Sequence, residues 1–91
     1  MRETYDNFRR DEEFMIELSQ LMVGDQGKIY QIADDLEVKR RLLDLGFTKG
    51  SQVECVLSSS FGGPFAYKIK NSVVAIRRGD ARKILVERVL G

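Results

Sequence analysis

A single short helix with both ends marked is the feature that most constrains this chain. Asp34 has the side chain of a helix N-cap, and Glu37 three residues later completes a capping-box pattern. Gly46 supplies the left-handed conformation that closes a helix, and Phe47 can fold back onto the last turn. We therefore predict one helix over about residues 36–45.

This helix has one apolar stripe and one basic side. The stripe recurs at helical spacing and is predicted to face the core. It contains Val38, Leu42 and Leu45, and we expect Leu43 and Phe47 to be buried with them. The basic side carries Lys39, Arg40 and Arg41. Such a side is either a solvated surface or a contact surface for a partner, and both alternatives stay open.

Short segments with β-strand patterns lie on both sides of the helix. Turn residues separate them at intervals of about 8–12 residues, which indicates a small barrel that hides its strand edges. Ile29 and Ile32 lie three positions apart, which indicates a bulge or burial on both faces. We predict a mainly β fold of about five strands, with the helix inserted after the first long strand. The segments are 15–21, 28–33, 52–57, 67–70, 73–77 and 84–89, with a turn at Asn71-Ser72.

Size and composition limit the class of protein further. The chain has 91 residues, enough for one domain, which we place at 15–91 behind a charged and flexible arm at 1–14. Its 15 Lys and Arg against 14 Asp and Glu give a net charge of +1, which argues against a dedicated nucleic-acid binder. No apolar run approaches the roughly 20 residues that cross a bilayer. With a single cysteine, Cys55, we expect a reducing cytoplasm and only indirect membrane contact.

The residues of a catalytic or metal centre are missing from the sequence. There is no histidine, and the single cysteine lies on an alternating strand, where it is expected to be a small core residue. A closed transition-metal site normally needs several His or Cys ligands, and acidic runs at a helix start usually serve as caps. We therefore expect no enzyme activity, no metal site and no cofactor.

The segment 58–66 is predicted to be a loop with two phenylalanines. Exposed phenylalanines beside glycine are costly unless a partner covers them, which makes this loop a second candidate contact surface. The alternative is that one or both rings fold inward and plug the barrel. The candidate contact residues are Phe61, Gly62, Gly63, Pro64 and Phe65.

Two motifs taken together resemble the FeoA family, the small cytoplasmic proteins of bacterial ferrous-iron uptake. The first reads RRLLDLGF over 40–47, followed by Gly50, and the second reads VAIRR over 74–78, followed by Asp80-Ala81. The resemblance extends from about Met15 to Glu87 and implies an SH3-like barrel and a transition-metal context. It also implies a regulatory role exerted through contact with the membrane GTPase-transporter FeoB.

Two other functions remain as alternatives. A related barrel forms the C-terminal domain of metal-dependent repressors, and the pairs Arg40-Arg41 and Arg77-Arg78 could contact nucleic acid or another cytoplasmic protein. A proline-rich-peptide binder is disfavoured, because such grooves are lined with aromatic residues and this chain has no Trp and three Tyr. We expect a monomer or a weak oligomer.

Overall fold

Six antiparallel strands run in the order β1-β6-β2-β3-β4-β5 in the computed structural model, which describes residues 15–59 and 62–89. The predicted arm at 1–14 and Phe61 lie outside the described residues. The elements are β1 (Met15–Glu17), a 3-10 turn (Leu18–Gln20), β2 (Gln26–Ile32), α1 (Leu36–Asp44), β3 (Gln52–Leu57), β4 (Phe65–Ile69), β5 (Ser72–Ile76), α2 (Arg78–Ala81) and β6 (Ile84–Val89).

The predicted fold class is confirmed, and two details differ. The helix is inserted after the first long strand, as expected, but the strands number six among the described residues. The sheet curls without closing, since within the described part of the chain β1 pairs only with β6 and β5 only with β4. β1 is only three residues long and gives way to the 3-10 turn, so it offers few backbone groups that could close the sheet.

The core lies inside the curl and is centred on Tyr67. The Tyr67 ring meets Phe47 edge-on at 6.5 Å between centroids and Phe65 edge-on at 6.4 Å. Its hydroxyl donates a hydrogen bond to the Leu18 carbonyl at 3.2 Å, so the buried polar end of the ring is satisfied. Cys55 is buried in the same core, as predicted. No polar side chain of residues 15–59 and 62–89 is fully buried.

A β-bulge interrupts β2, as the spacing of Ile29 and Ile32 indicated. Ile29 stands opposite Val86 on β6 and Gln31 stands opposite Leu85, so Tyr30 is the extra residue between them. Bulges of this kind re-aim a side chain relative to the regular alternation. Tyr30 consequently projects outward between two buried isoleucines of the same strand.

The second hairpin differs from its prediction by one position. Its turn residues are Lys70 and Asn71, whose φ values of 49° and 67° are those of a two-residue type I′ turn. Ile69 therefore stands opposite Ser72, and the predicted turn at Asn71-Ser72 is wrong by one residue. β4 also begins earlier than expected, at Phe65, because this apolar residue pairs with Ile76 and faces the core.

Candidate protein-docking groove

The helix α1 is capped by a different aspartate from the one predicted. The Oδ1 atom of Asp35, rather than Asp34, accepts the Val38 backbone N–H at 3.2 Å. The capping box with Glu37 is therefore wrong, since Val38 occupies the third helical position. At the other end Gly46 has a φ of 105°, and the Phe47 backbone N–H donates to the Leu42 carbonyl at 3.0 Å, as the sequence indicated.

Only a narrow stripe of α1 packs against the sheet. Val38 and Leu42 are buried, but Leu43 is 44% exposed and Leu45 is 39% exposed, so the prediction of core positions for both is wrong. Consecutive helical residues point about 100° apart, and Leu43 therefore turns away from the face that buries Leu42. The Leu43 side chain thus lies beside the sheet and is not buried against it.

Two ion pairs fasten α1 to the segment that precedes β6. Arg41 Nη2 lies 2.9 Å from Asp80 Oδ1, and Lys83 Nζ lies 3.4 Å from Asp35 Oδ2. The Val38 N–H and then the Lys83 ammonium hold the pKa of the Asp35 carboxyl below its usual value. Arg41, a predicted contact residue, is therefore engaged within the domain.

A groove of about 320 Å³ lies between α1 and β2. Buried apolar side chains form its floor, two partly exposed apolar side chains form its walls, and two lysines stand at its rim. The floor consists of Ile29, Ile32 and Phe47, the walls of Tyr30 and Leu43, and the rim of Lys39 and Lys49, with Gln31 completing the lining.

The bulge in β2 is what places Tyr30 in this groove. Tyr30 is 43% exposed, and the Lys49 ammonium lies 5.7 Å from the centroid of its ring. A cation at this distance over an aromatic ring is attracted by the negative face of the π system, by about 0.5–1 kcal/mol at exposed sites. The contact brings the ring and the lysine together at the mouth of the groove.

The rim of the groove is positively charged. Among the described residues, none of Lys39, Arg40 and Lys49 takes part in an ion pair. Lys39 is half-buried against the groove, whereas Arg40 and Lys49 are exposed. An apolar groove with a cationic rim has the chemistry to hold an apolar side chain flanked by carboxylates.

A larger hollow of about 460 Å³ lies on the outer face of β2, β3 and β4 and lacks that combination. Among its described lining residues Val53 alone is apolar, and Lys68 and Lys70 share the hollow with Glu54. Glu54 also accepts a hydrogen bond from Gln26 at 3.4 Å. This polar surface offers no anchor for an apolar side chain, so the groove beside α1 is the better docking candidate.

The described residues before β4 contact one another, and Phe65 at the start of β4 faces the core. Phe65 is only 3% exposed, so its prediction as an exposed contact residue is wrong and the inward alternative holds for this ring. The Ser59 hydroxyl donates to the Pro64 carbonyl at 2.8 Å, while Gly62 and Pro64 are exposed. Gly63 packs tightly, because a Cβ atom there would lie 2.8 Å from the Ser59 side chain.

One arginine of the second predicted basic pair, Arg77-Arg78, also contacts other residues of the domain. Arg78 Nη2 donates to the Ser59 carbonyl at 2.9 Å, and its guanidinium lies 5.3 Å from the centroid of the Phe65 ring. Arg77 is exposed. One arginine of each predicted pair, Arg41 and Arg78, thus makes a contact within the domain.

The described residues gather no metal-binding group. No cluster of three or more His, Cys, Asp or Glu side chains occurs within 15–59 and 62–89. Cys55 is fully buried, its Sγ donates to the Leu57 carbonyl at 3.6 Å, and burial raises the pKa of its thiol. A buried thiol with a raised pKa is a weak nucleophile.

Lys39 is the one residue of this groove that the sequence predicts as a contact residue, whereas Leu43, Tyr30 and Lys49 are not predicted as such. From the sequence, Leu43 is predicted to be buried and Tyr30 to lie in a strand, and no role is predicted for Lys49. The bulge signal at Ile29 and Ile32 could have identified Tyr30, because a bulge displaces the residue that it contains.

This strand order, with a short helix inserted between β2 and β3, defines a small SH3-like β domain. The FeoA domain model matches residues 16–88, most of the chain. The chain therefore belongs to the FeoA family, whose members act in ferrous-iron transport. No helix in the described part of the chain is both long and apolar enough to span a membrane.

This chain is similar to a fusion protein and to a solved FeoA structure. A protein of Porphyromonas gingivalis (strain ATCC BAA-308 / W83), named an Fe(2+) transport protein A/Fe(2+) transporter FeoB fusion protein, is 36% identical over 70 residues. That match covers 77% of this chain but only 8% of the fusion protein's length. The Stenotrophomonas maltophilia FeoA complexed with zinc, described as an SH3 domain protein, is 27% identical with a TM-score of 0.67 over 77% of this chain and 87% of that one.

A manganese-dependent transcriptional repressor shares the fold. It is 21% identical with a TM-score of 0.76, over 82% of this chain and 42% of the repressor. At this identity the likeness concerns the fold alone.

Proposed function

We propose that this protein is a non-enzymatic accessory protein of ferrous-iron uptake that docks on a FeoB-type transporter through the groove beside α1. The observation that carries this proposal is the groove itself, an apolar floor and walls with a lysine rim in a domain of the FeoA family. The relative that joins both proteins in one chain supports the choice of partner. Docking of this kind takes place on the cytoplasmic side of the membrane.

The groove would receive an apolar side chain from the transporter, with acidic residues beside it. Tyr30 and Leu43 would close over that side chain, and Lys39 and Lys49 would pair with the flanking carboxylates. Burial of the apolar walls supplies most of the affinity, and the lysines favour the correct orientation and speed the encounter.

Surface plasmon resonance with the cognate FeoB tests this proposal, using its cytoplasmic domain and the full-length transporter in detergent. We expect Leu43→Ser to weaken binding about tenfold or more, because it removes one wall of the groove. Val23→Ser is the matched control, since Val23 is an exposed apolar residue on the turn before β2. Equal affinity of both variants, or no binding by the unmodified protein to either form of FeoB, would refute the docking site.

A nucleic-acid-binding role predicts salt-dependent retention on immobilised DNA or RNA. The engagement of Arg41 and Arg78 within the domain leaves this role with fewer free cations than the sequence indicated. Retention that persists at moderate salt, with no binding to FeoB, would favour it over the transporter.

A further inference from the structure

Within the described part of the chain, strand β5 is an open edge of the sheet. The type I′ turn makes Ile69 and Ser72 a hydrogen-bonded pair, and hydrogen-bonded and non-hydrogen-bonded pairs alternate along an antiparallel ladder. Val74 therefore bonds to β4, whereas the backbone N–H and C=O groups of Val73 and Ala75 point away from it. Among residues 15–59 and 62–89, no other strand pairs with this edge.

This edge lacks the devices that usually prevent strand addition. Ser72–Ile76 contains no charged residue and no proline, and its register with β4 has no bulge. Val73 is 64% exposed and stands on the outer face together with the exposed Ala75. The opposite edge differs, because β1 is three residues long and carries the charged Glu17.

We propose that β5 pairs with β5 of a second copy of this chain in an antiparallel, two-fold arrangement. Centring the pair on Val74 places Val73 of each chain opposite Ala75 of the other, and all four outward groups of each chain gain a partner. The outer-face contacts are then apolar, because Ser72–Ile76 contains no charged residue. The strand is complementary to itself in hydrogen bonding and shape.

The small size of the contact sets the strength of the dimer. One pair of five-residue strands buries far less than the roughly 1,600 Å² of a standard stable interface. The dimer is therefore weak and concentration-dependent, with a Kd of about 10 µM to 1 mM. The groove beside α1 lies on β2, three strands along the sheet order from β5, so this dimer and the proposed docking site use different surfaces.

Sedimentation equilibrium of the full chain, from about 10 µM to about 1 mM, tests the dimer. Ala75→Pro removes an outward N–H, a change that an edge strand tolerates because that group makes no bond to β4. Ala75→Ser is the matched control, since it keeps the N–H. We expect Ala75→Pro to weaken the dimer about tenfold or more and Ala75→Ser to change it by less than about twofold.

Two further measurements keep the test independent of how well the proline variant folds. Val73→Lys places a charge on the outer face of β5 and is expected to weaken the dimer as well. In the unmodified protein, amide exchange at Val73 and Ala75 should slow as concentration rises, while Val74 is protected throughout. A monomer at all concentrations, a dimer insensitive to both variants, or protection of Val73 and Ala75 that does not depend on concentration would each overturn the proposal.

Discussion

The Tyr67 hydroxyl donates a hydrogen bond to the Leu18 carbonyl at 3.2 Å, across 49 residues of sequence. Leu18 opens the 3-10 turn after β1, and Tyr67 lies on β4, so the bond joins two parts of the chain that are far apart in the strand order. Because no ladder bonds close the sheet among residues 15–59 and 62–89, this hydrogen bond is a link between its two sides.

Removal of this hydroxyl should weaken the domain measurably. We expect Tyr67→Phe to lower the free energy of unfolding by about 1 kcal/mol at neutral pH, because the Leu18 carbonyl keeps its bond from the Leu21 N–H but loses the second. Urea denaturation measures the change, with an unaltered m-value. Tyr30→Phe is the control, since the Tyr30 side chain lies at the surface. Equal losses in both variants would contradict a special role for the buried hydroxyl.

Tyr67 should also make the stability sensitive to alkaline pH. Burial, and then the nearby Cys55, raise the pKa of the Tyr67 phenol above its ordinary value of 10.0. The folded state therefore favours the neutral phenol, and the stability that it contributes is present below about pH 10 and is lost as the pH rises beyond that value. Unfolding free energies from about pH 8 to about pH 11 should fall more steeply for the unmodified protein than for Tyr67→Phe. Identical pH profiles would show that this group does not titrate differently on unfolding.

The identity of the helix cap is testable at the other end of the pH scale. Asp35→Ala should lower Tm at neutral pH, because it removes the acceptor of the Val38 N–H and the partner of Lys83. Asp34→Ala, one residue away and without either bond, should leave Tm nearly unchanged. Since the pKa of Asp35 is lowered in the folded state, its contribution is present above the ordinary value of 3.8 and is lost as the pH falls below it. A larger effect at Asp34 would restore the capping box that the sequence predicted.

Local signals explain what the sequence predicted well. The helix, the bulge in β2 and the turn glycine at Gly46 each depend on residues within a few positions of one another. The burial of Cys55 followed from strand alternation over six residues. Such features are determined by residues close in sequence and depend little on the tertiary fold.

Long-range geometry explains what the sequence did not predict. Arg41 is predicted from the sequence to be solvated or to contact a partner. In the fold it lies 2.9 Å from Asp80, which is 39 residues away in the sequence. Phe65 is predicted to lie in a loop because loop-forming residues precede it, whereas in the structure it pairs with Ile76. The open edges of the sheet likewise depend on the tertiary positions of β1 and β5, and local sequence patterns do not specify those positions.

The burial of Phe65 gives a prediction that separates core from contact surface. We expect Phe65→Ala to lower the free energy of unfolding by about 3–5 kcal/mol, since the ring packs against Tyr67 and under the Arg78 guanidinium. Pro64→Ala, at the exposed neighbour, should cost less than about 1 kcal/mol. Chemical denaturation of both variants measures the difference. A Phe65 variant with unchanged stability would return this residue to the exposed loop.

The rim lysines give the last prediction, on the electrostatics of docking. Neutralising Lys39 or Lys49 to glutamine should weaken binding to the FeoB cytoplasmic domain about two- to fivefold, mainly by slowing association, because the rim charges guide an acidic partner. Lys68→Gln removes the same charge from the outer face of β4, beside Glu54, and should leave binding unchanged. Repeating the measurement at high salt should remove the difference between rim and control variants, since screening weakens exposed charges. If all three lysines matter equally, the attraction reflects the charge of the whole domain, and the groove has no electrostatic preference of its own.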